Sequence, residues 1–217
     1  MEGDLMSDET RELLMDVRRA FRLVHGYQRR LLDALRPAVE AVQEVHPDLR
    51  HLETKPFPYA KPMSRHDPTA GKWAWDYLPL AHCDMTWATS KRPSDGAVYF
   101  GVRHVVDTGF KEERGREPDS AHFDPAAECA TLIEPVILRV VGEPAHKEWD
   151  GLYGASEEGS KYEGWAEPKV HEVVVGGCRV RFGGLRVDVA DLESADTVRE
   201  RLVQPVALLA QQLAGPR

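Results

Sequence analysis

One stretch constrains this chain more than any other. Leu14, Val17, Phe21, Val24, Gln28, Leu31, Leu35, Ala38, Val42 and Val45 recur at alternating spacings of three and four, and nine of these ten positions are apolar. That period belongs to one face of an α-helix, so it predicts a long amphipathic helix over residues 8–45 whose apolar face must be covered along its length. Ser7, Asp8 and Thr10 are available N-caps, and Asp8, Glu9 and Glu12 suit the positive end of the helix dipole. Pro37 lacks the amide proton that would bond back to Asp33, which predicts a kink or two abutting helices. Gln28 sits at the centre of the seam. It either fixes register with an identical helix from another copy or lies at the wet edge of a helix that covers this chain's own sheet.

The rest of the chain reads as sheet, loop and a closing helix. Pro47 ends the first helix, and residues 51–79 are rich in proline and aromatics, including Pro56, Phe57, Pro58, Tyr59, Trp73, Trp75 and Pro79. Each proline removes a ladder donor, so this stretch is expected to wrap as a connection with one short strand near Trp73 to Leu78. Residues 82–88 and 97–106 alternate with period two around a turn containing Pro93, Asp95 and Gly96, and read as an antiparallel hairpin. Matching apolar faces sets Trp87 opposite Val98, Met85 opposite Phe100 and Cys83 opposite Val102. The other face then holds His82, Asp84, Thr86, Tyr99 and Arg103, with Gly101 opposite Asp84. A further strand is expected from Val136 to Val141, with Pro135 near its start or at a bulge. Glu172 to Arg181 reads as a hairpin turning on Gly176-Gly177, with Val175 paired to Cys178. Gly183-Gly184 makes either a second turn or a bulge in one continuous strand. Thr197 and Glu200 have the spacing of a capping box, with Ser194 and Asp196 as rival caps, and place a last helix over residues 197–213 with a kink at Pro205. The whole is a single α+β domain spanning residues 1–217: a mostly antiparallel sheet of five to seven strands between residues 73 and 190, packed on one face by both helices.

Charge and cysteine content narrow the setting. The net charge is −8, yet from Arg18 to Arg36 six arginines face one acid, Asp33, while from Asp107 to Glu172 sixteen acids face seven Lys or Arg. The simplest reading is that the basic helix surface meets acidic surface, in the same chain or in another copy. Arg18, Arg22, Arg29 and Arg36 also offer nucleic acid a phosphate-binding stripe, against which the acidic total argues. No run of eighteen apolar residues occurs, and the start Met1-Glu2-Gly3-Asp4 is acidic where a secretory signal would be basic, so the expectation is a soluble, cytoplasmic protein with no membrane partner. Cys83, Cys129 and Cys178 are distant from one another and form no Cys-x-x-Cys pair, which suits reduced thiols. Arginine outnumbers lysine by more than two to one, a bias typical of GC-rich bacterial genomes.

No glycine-rich phosphate loop, nucleophile elbow or His-Glu-x-x-His pair is present. The most suggestive polar group is His82 and Asp84 on one strand face, with Arg103 beside them. A divalent-metal site can be built from His82 and Asp84 with Asp107, His122 and Asp124 from the following loop, which would suit a metal-dependent hydrolase, including one acting on phosphodiesters. The bland alternative is a cross-strand ion pair between Asp84 and Arg103. A nuclease-like Glu-x-Lys occurs twice, at Glu167-Pro168-Lys169 and Glu53-Thr54-Lys55, both too short to be specific. Cys83, Cys178 and His104 fall on apolar faces and read as core residues, while Cys129 sits in a looser context. The favoured expectation is a non-catalytic subunit or binding module without a cofactor. It would act through protein contacts or self-association of the helix face formed by Leu14, Val17, Phe21, Val24, Gln28, Leu31 and Leu35.

Overall fold

The computed structural model describes residues 8–56, 69, 82–109, 122–144, 147–149, 151–152, 168–175 and 177–215. The chain folds as α1 (Asp8–Val45), β1 (Arg50–Pro56), β2 (His82–Ala88), β3 (Val98–Val105), β4 (Leu132–Val141), β5 (His171–Val175), β6 (Cys178–Gly184) and β7 (Val187–Asp188). It closes with a helical run made of α2 (Ala195–Val198), a π turn (Arg199–Val203) and α3 (Gln204–Leu213). The strands form one seven-stranded antiparallel sheet in the order β1-β2-β3-β4-β6-β5, with β7 also on β4. The fold is α+β, as the periodicities imply.

Each sheet face has its own core. Toward the helices, Cys83, Met85, Trp87, Phe100, Val102, Ile133 and Ile137 pack with Leu31, Leu35 and Val42 of α1 and with Leu202, Val206 and Leu209 of the closing run. On the far face, Tyr99, Val136, Leu138, Val140, Val175, Val180 and Phe182 pack with Trp149 and Leu152. Strand β4 therefore feeds apolar side chains into both layers, since successive residues point to opposite faces. Arg139, on its helix side, donates to the carbonyls of Leu213, at 2.9 Å, and of Ala214, a cation at the negative end of the closing helix.

Several expectations need correction. The sheet begins at Arg50 rather than near residue 73, because β1 is an edge strand that tolerates Pro56 at its end and a bulge between His51 and Glu53. The expected strand at Trp73 to Leu78 lies outside the described residues. Helix α1 runs unbroken through Pro37 instead of splitting there. In the β2–β3 hairpin, Trp87 faces Phe100 and Asp84 faces Arg103, two residues away from the register that put Gly101 opposite Asp84. Face parity cannot distinguish registers two apart. Pair identity can: the observed one brings Trp87 and Phe100 to 5.6 Å between ring centroids and opposite charges side by side.

Around Pro135 and Gly183-Gly184 neither a turn nor a bulge forms. Strand β4 starts at Leu132, so Pro135 lies inside it, and β6 and β7 run along β4 in one unbroken register from Val141↔Arg179 to Leu132↔Asp188. The Leu185 amide donates to the Pro135 carbonyl at 3.1 Å, but Pro135 has no N–H to return, and the ladder is interrupted there. Gly183 is glycine for space, since a Cβ would stand 2.7 Å from Leu209 Cδ2 and 2.8 Å from the Lys169 carbonyl oxygen. The last helix starts at Ala195, because Ser194 and Thr197, not Thr197 and Glu200, make the capping box. Instead of a simple kink, a π turn immediately precedes the helical segment that contains Pro205.

The β5–β6 hairpin has the expected pairing of Val175 with Cys178, and Gly177 has φ +87°. Gly177→Val should destabilise the domain by about 1–3 kcal/mol, because a β-branched residue resists positive φ, and chemical denaturation of the variant measures this.

Candidate functional site

The far face of the sheet carries the polar constellation. Lys55, Asp84, Arg103 and Glu134 stand directly opposite one another on β1 to β4, and the unbroken register sets Arg186 opposite Glu134. Charges alternate across five positions. Arg103 grips Asp84 with both ends of its fork, Nε to Oδ1 at 2.8 Å and the second nitrogen to Oδ2 at 3.4 Å, and Arg186 Nε reaches Glu134 at 2.6 Å. Lys55 turns instead to Glu53, at 2.6 Å. These half-exposed pairs contribute at most about 1 kcal/mol each, so the row specifies register more than it stabilises.

His82 lies on the same face one pleat away from Asp84. Of the loop residues that would complete a metal site, Asp107 accepts from the Gly109 amide at 2.7 Å through Oδ1, and the Asp124 backbone carbonyl accepts from the Cys129 thiol. Among the described residues no three His, Cys, Asp or Glu side chains converge as a metal ion would require. Of the two Glu-x-Lys triplets, Glu53-Thr54-Lys55 lies on edge strand β1, and Glu167 is outside the described residues. The Cys129 thiol is pushed up, by desolvation first and then by the neighbouring Asp107 carboxylate, the reverse of what a nucleophile needs. Burial pushes Cys83 up strongly as well.

His104 is fully buried on the helix-facing side, and its Nε2 meets the Tyr27 hydroxyl at 2.7 Å. Among the described residues its Nδ1 has no hydrogen-bond partner. Burial brings its pKa down to about 4 and pushes the Tyr27 phenol far above its ordinary range, so both are neutral. Sequence placed His104 in the core but missed Tyr27, which sits outside the apolar seam and would have been found by asking which helix residue could serve a buried imidazole.

Tyr27 also marks where α1 leaves the body. From Gln28 onward the seam is buried, with Gln28, Leu31 and Leu35 at 1%, 3% and 0% exposure, so these three proposed contact residues lie inside the chain's own core. Before it, Leu14, Val17, Phe21 and Val24 are 37%, 42%, 58% and 46% exposed. Of the nine large apolar side chains left exposed among the described residues, seven lie between Leu13 and Val24. The arginine stripe divides in the same way. Arg36 is held by the Thr69 carbonyl at 2.8 Å and by Asp33, while Arg18 and Arg22 stand on the exposed part of the helix and Arg29 is exposed just beyond it. No helix among the described residues is long and apolar enough to cross a membrane.

Comparison with known proteins adds a family. The sequence model of PM0109 matches residues 7–212, nearly the whole chain. The chain belongs to the PM0109 family. The family's name specifies no chemistry, and no curated protein and no solved structure matches the chain. The PM0109 match includes the exposed part of α1, so the family extends beyond the sheet body.

The buried imidazole predicts a pH dependence. An unfolded His104 titrates near its ordinary 6.5 and the folded one near 4, so the unfolded chain binds the extra proton between these values. Its neutral form contributes fully above about pH 6.5, and about 3 kcal/mol of stability is lost as the pH falls to about 4. Denaturant unfolding of wild type and His104→Leu should show the stability difference shifting toward the variant by that amount across this window, and constant above it.

Proposed function

We propose that this PM0109-family chain is a non-catalytic binding module that engages a protein partner through the first half of α1. One observation carries the reading: a helix of 38 residues buries its seam only from Gln28 onward and leaves Leu14, Val17, Phe21 and Val24 bare. Contiguous apolar surface of this kind costs solubility unless something covers it, which is why such patches mark interaction sites. The polar face does not support catalysis comparably, because both carboxylate oxygens of Asp84 are engaged by Arg103 and no ligand set converges beside His82 among the described residues.

Phe21→Asp tests the reading. The side chain is 58% exposed, so stability should change by no more than about 0.5 kcal/mol, while association through the helix should fail because a charge in a dry seam is costly. Circular dichroism and particle mass, measured together, separate loss of contact from loss of fold. Equilibrium dialysis against Mn²⁺ and Zn²⁺ covers the other chemistry. No stoichiometric uptake is expected, whereas an ion bound one to one by wild type and lost in His82→Ala would overturn the proposal in favour of a metal-dependent hydrolase.

A further inference from the structure

Gly26 lies at an exposed position inside a helix unbroken from Asp8 to Val45, where glycine is the least favourable residue after proline. Neither usual reason for a glycine applies to it. Its φ is not among the positive ones, and a Cβ built on it would meet nothing within 4 Å, whereas Gly177 needs its positive φ and Gly183 needs the space. What is left is the effect on the helix itself. Glycine loses the most backbone freedom on folding, so it weakens the hydrogen bonds that run from residues 26–29 back to residues 22–25.

This weak point falls where the packing of α1 changes. On its N-terminal side Leu14, Val17, Phe21 and Val24 are exposed, so this part of the helix has little of the tertiary packing that supplies most helical stability in proteins. On its C-terminal side the very next residue is anchored. The Tyr27 hydroxyl meets His104 Nε2 at 2.7 Å with the two rings 5.7 Å apart, and Gln28 and Leu31 are buried. Across Gly26 a single helix passes from uncovered to bolted onto the sheet.

We infer that Gly26 is a hinge built into α1: residues 8–25 form an arm that opens from the body as a unit, and the Tyr27–His104 hydrogen bond stops the opening from spreading into the core. The hinge needs no partner, and so stands apart from the reading of α1 as a contact surface. For that reading it has one consequence. The arm can turn to meet a partner while the body stays folded, and ordering the arm on binding then opposes association.

Amide hydrogen exchange of the full chain, read by mass spectrometry over a series of protein concentrations, tests the hinge. In wild type the arm should exchange through a local opening, far faster than residues 31–45. Gly26→Ala should slow residues 20–29 about fivefold, the difference between glycine and alanine in a helix interior, and leave residues 31–45 unchanged. Adding Ala20→Gly, at another exposed position, should move the boundary with the glycine, so that residues 21–25 become protected with the body. Tyr27→Phe removes the stop, and fast exchange should then spread past residue 27 toward Leu31 while circular dichroism shows the sheet intact. At the lowest concentration, an arm protected as strongly as residues 31–45 overturns the hinge. So does a Gly26→Ala variant whose exchange matches wild type, or a boundary that stays in place when the glycine is moved. Protection of the arm that grows with concentration reports association through α1 and bears on the proposed function alone, so the two readings fail separately.

Discussion

The structure depends on one strand being buried on both faces. β4 sends Ile133 and Ile137 toward the helices and Val136, Leu138 and Val140 toward the far layer, and both cores are built on it. Such a strand must satisfy every backbone donor and acceptor from its neighbours, and β3 on one side with β6 and β7 on the other do so. Pro135 is tolerated in this central position for a specific reason. It removes one donor, on the side where Leu185 still donates to its carbonyl, and the strand resumes register at Ile133. The cost is one missing ladder bond rather than a broken sheet.

From that strand outward the two faces diverge in character. The helix side is closed by α1 and the closing run, and it contains a neutral Tyr27–His104 pair that polar groups reach only through burial. The far side holds the second apolar cluster, and beside it the row from Lys55 through Asp84, Arg103 and Glu134 to Arg186 alternates in sign across β1 to β4 and beyond. Half-exposed ion pairs add little stability, but a β2–β3 register shift of two would set Asp84 against Gly101 and separate it from Arg103. Asp84 and Arg103, which sequence marked among the best places for chemistry, thus pair with each other across the β2–β3 register.

Helix α1 joins two regimes in one element. Its second half is ordinary core, whereas its first half has the same period and comparable apolar content but, among the described residues, leaves its large apolar side chains exposed. The boundary falls at Tyr27 and Gln28, where the helix meets the sheet body.

The sequence by itself determined the elements and their faces. A spacing of three and four over residues 14–45 admits only a helix, alternation over 82–88 and 98–105 admits only strands, and a glycine at 177 permits a positive φ that other residues resist. Local chemistry suffices for these, because each is decided within a few residues. It did not decide β1, whose polar sequence is strand only because Cys83 to Ala88 offers an edge, nor the β2–β3 register, which face parity leaves degenerate by two. Nor did it decide which part of the long seam is covered. Leu14 and Leu35 are indistinguishable by periodicity, and what separates them is how far the sheet and closing helix extend along α1, a length that exists only once the tertiary structure is assembled.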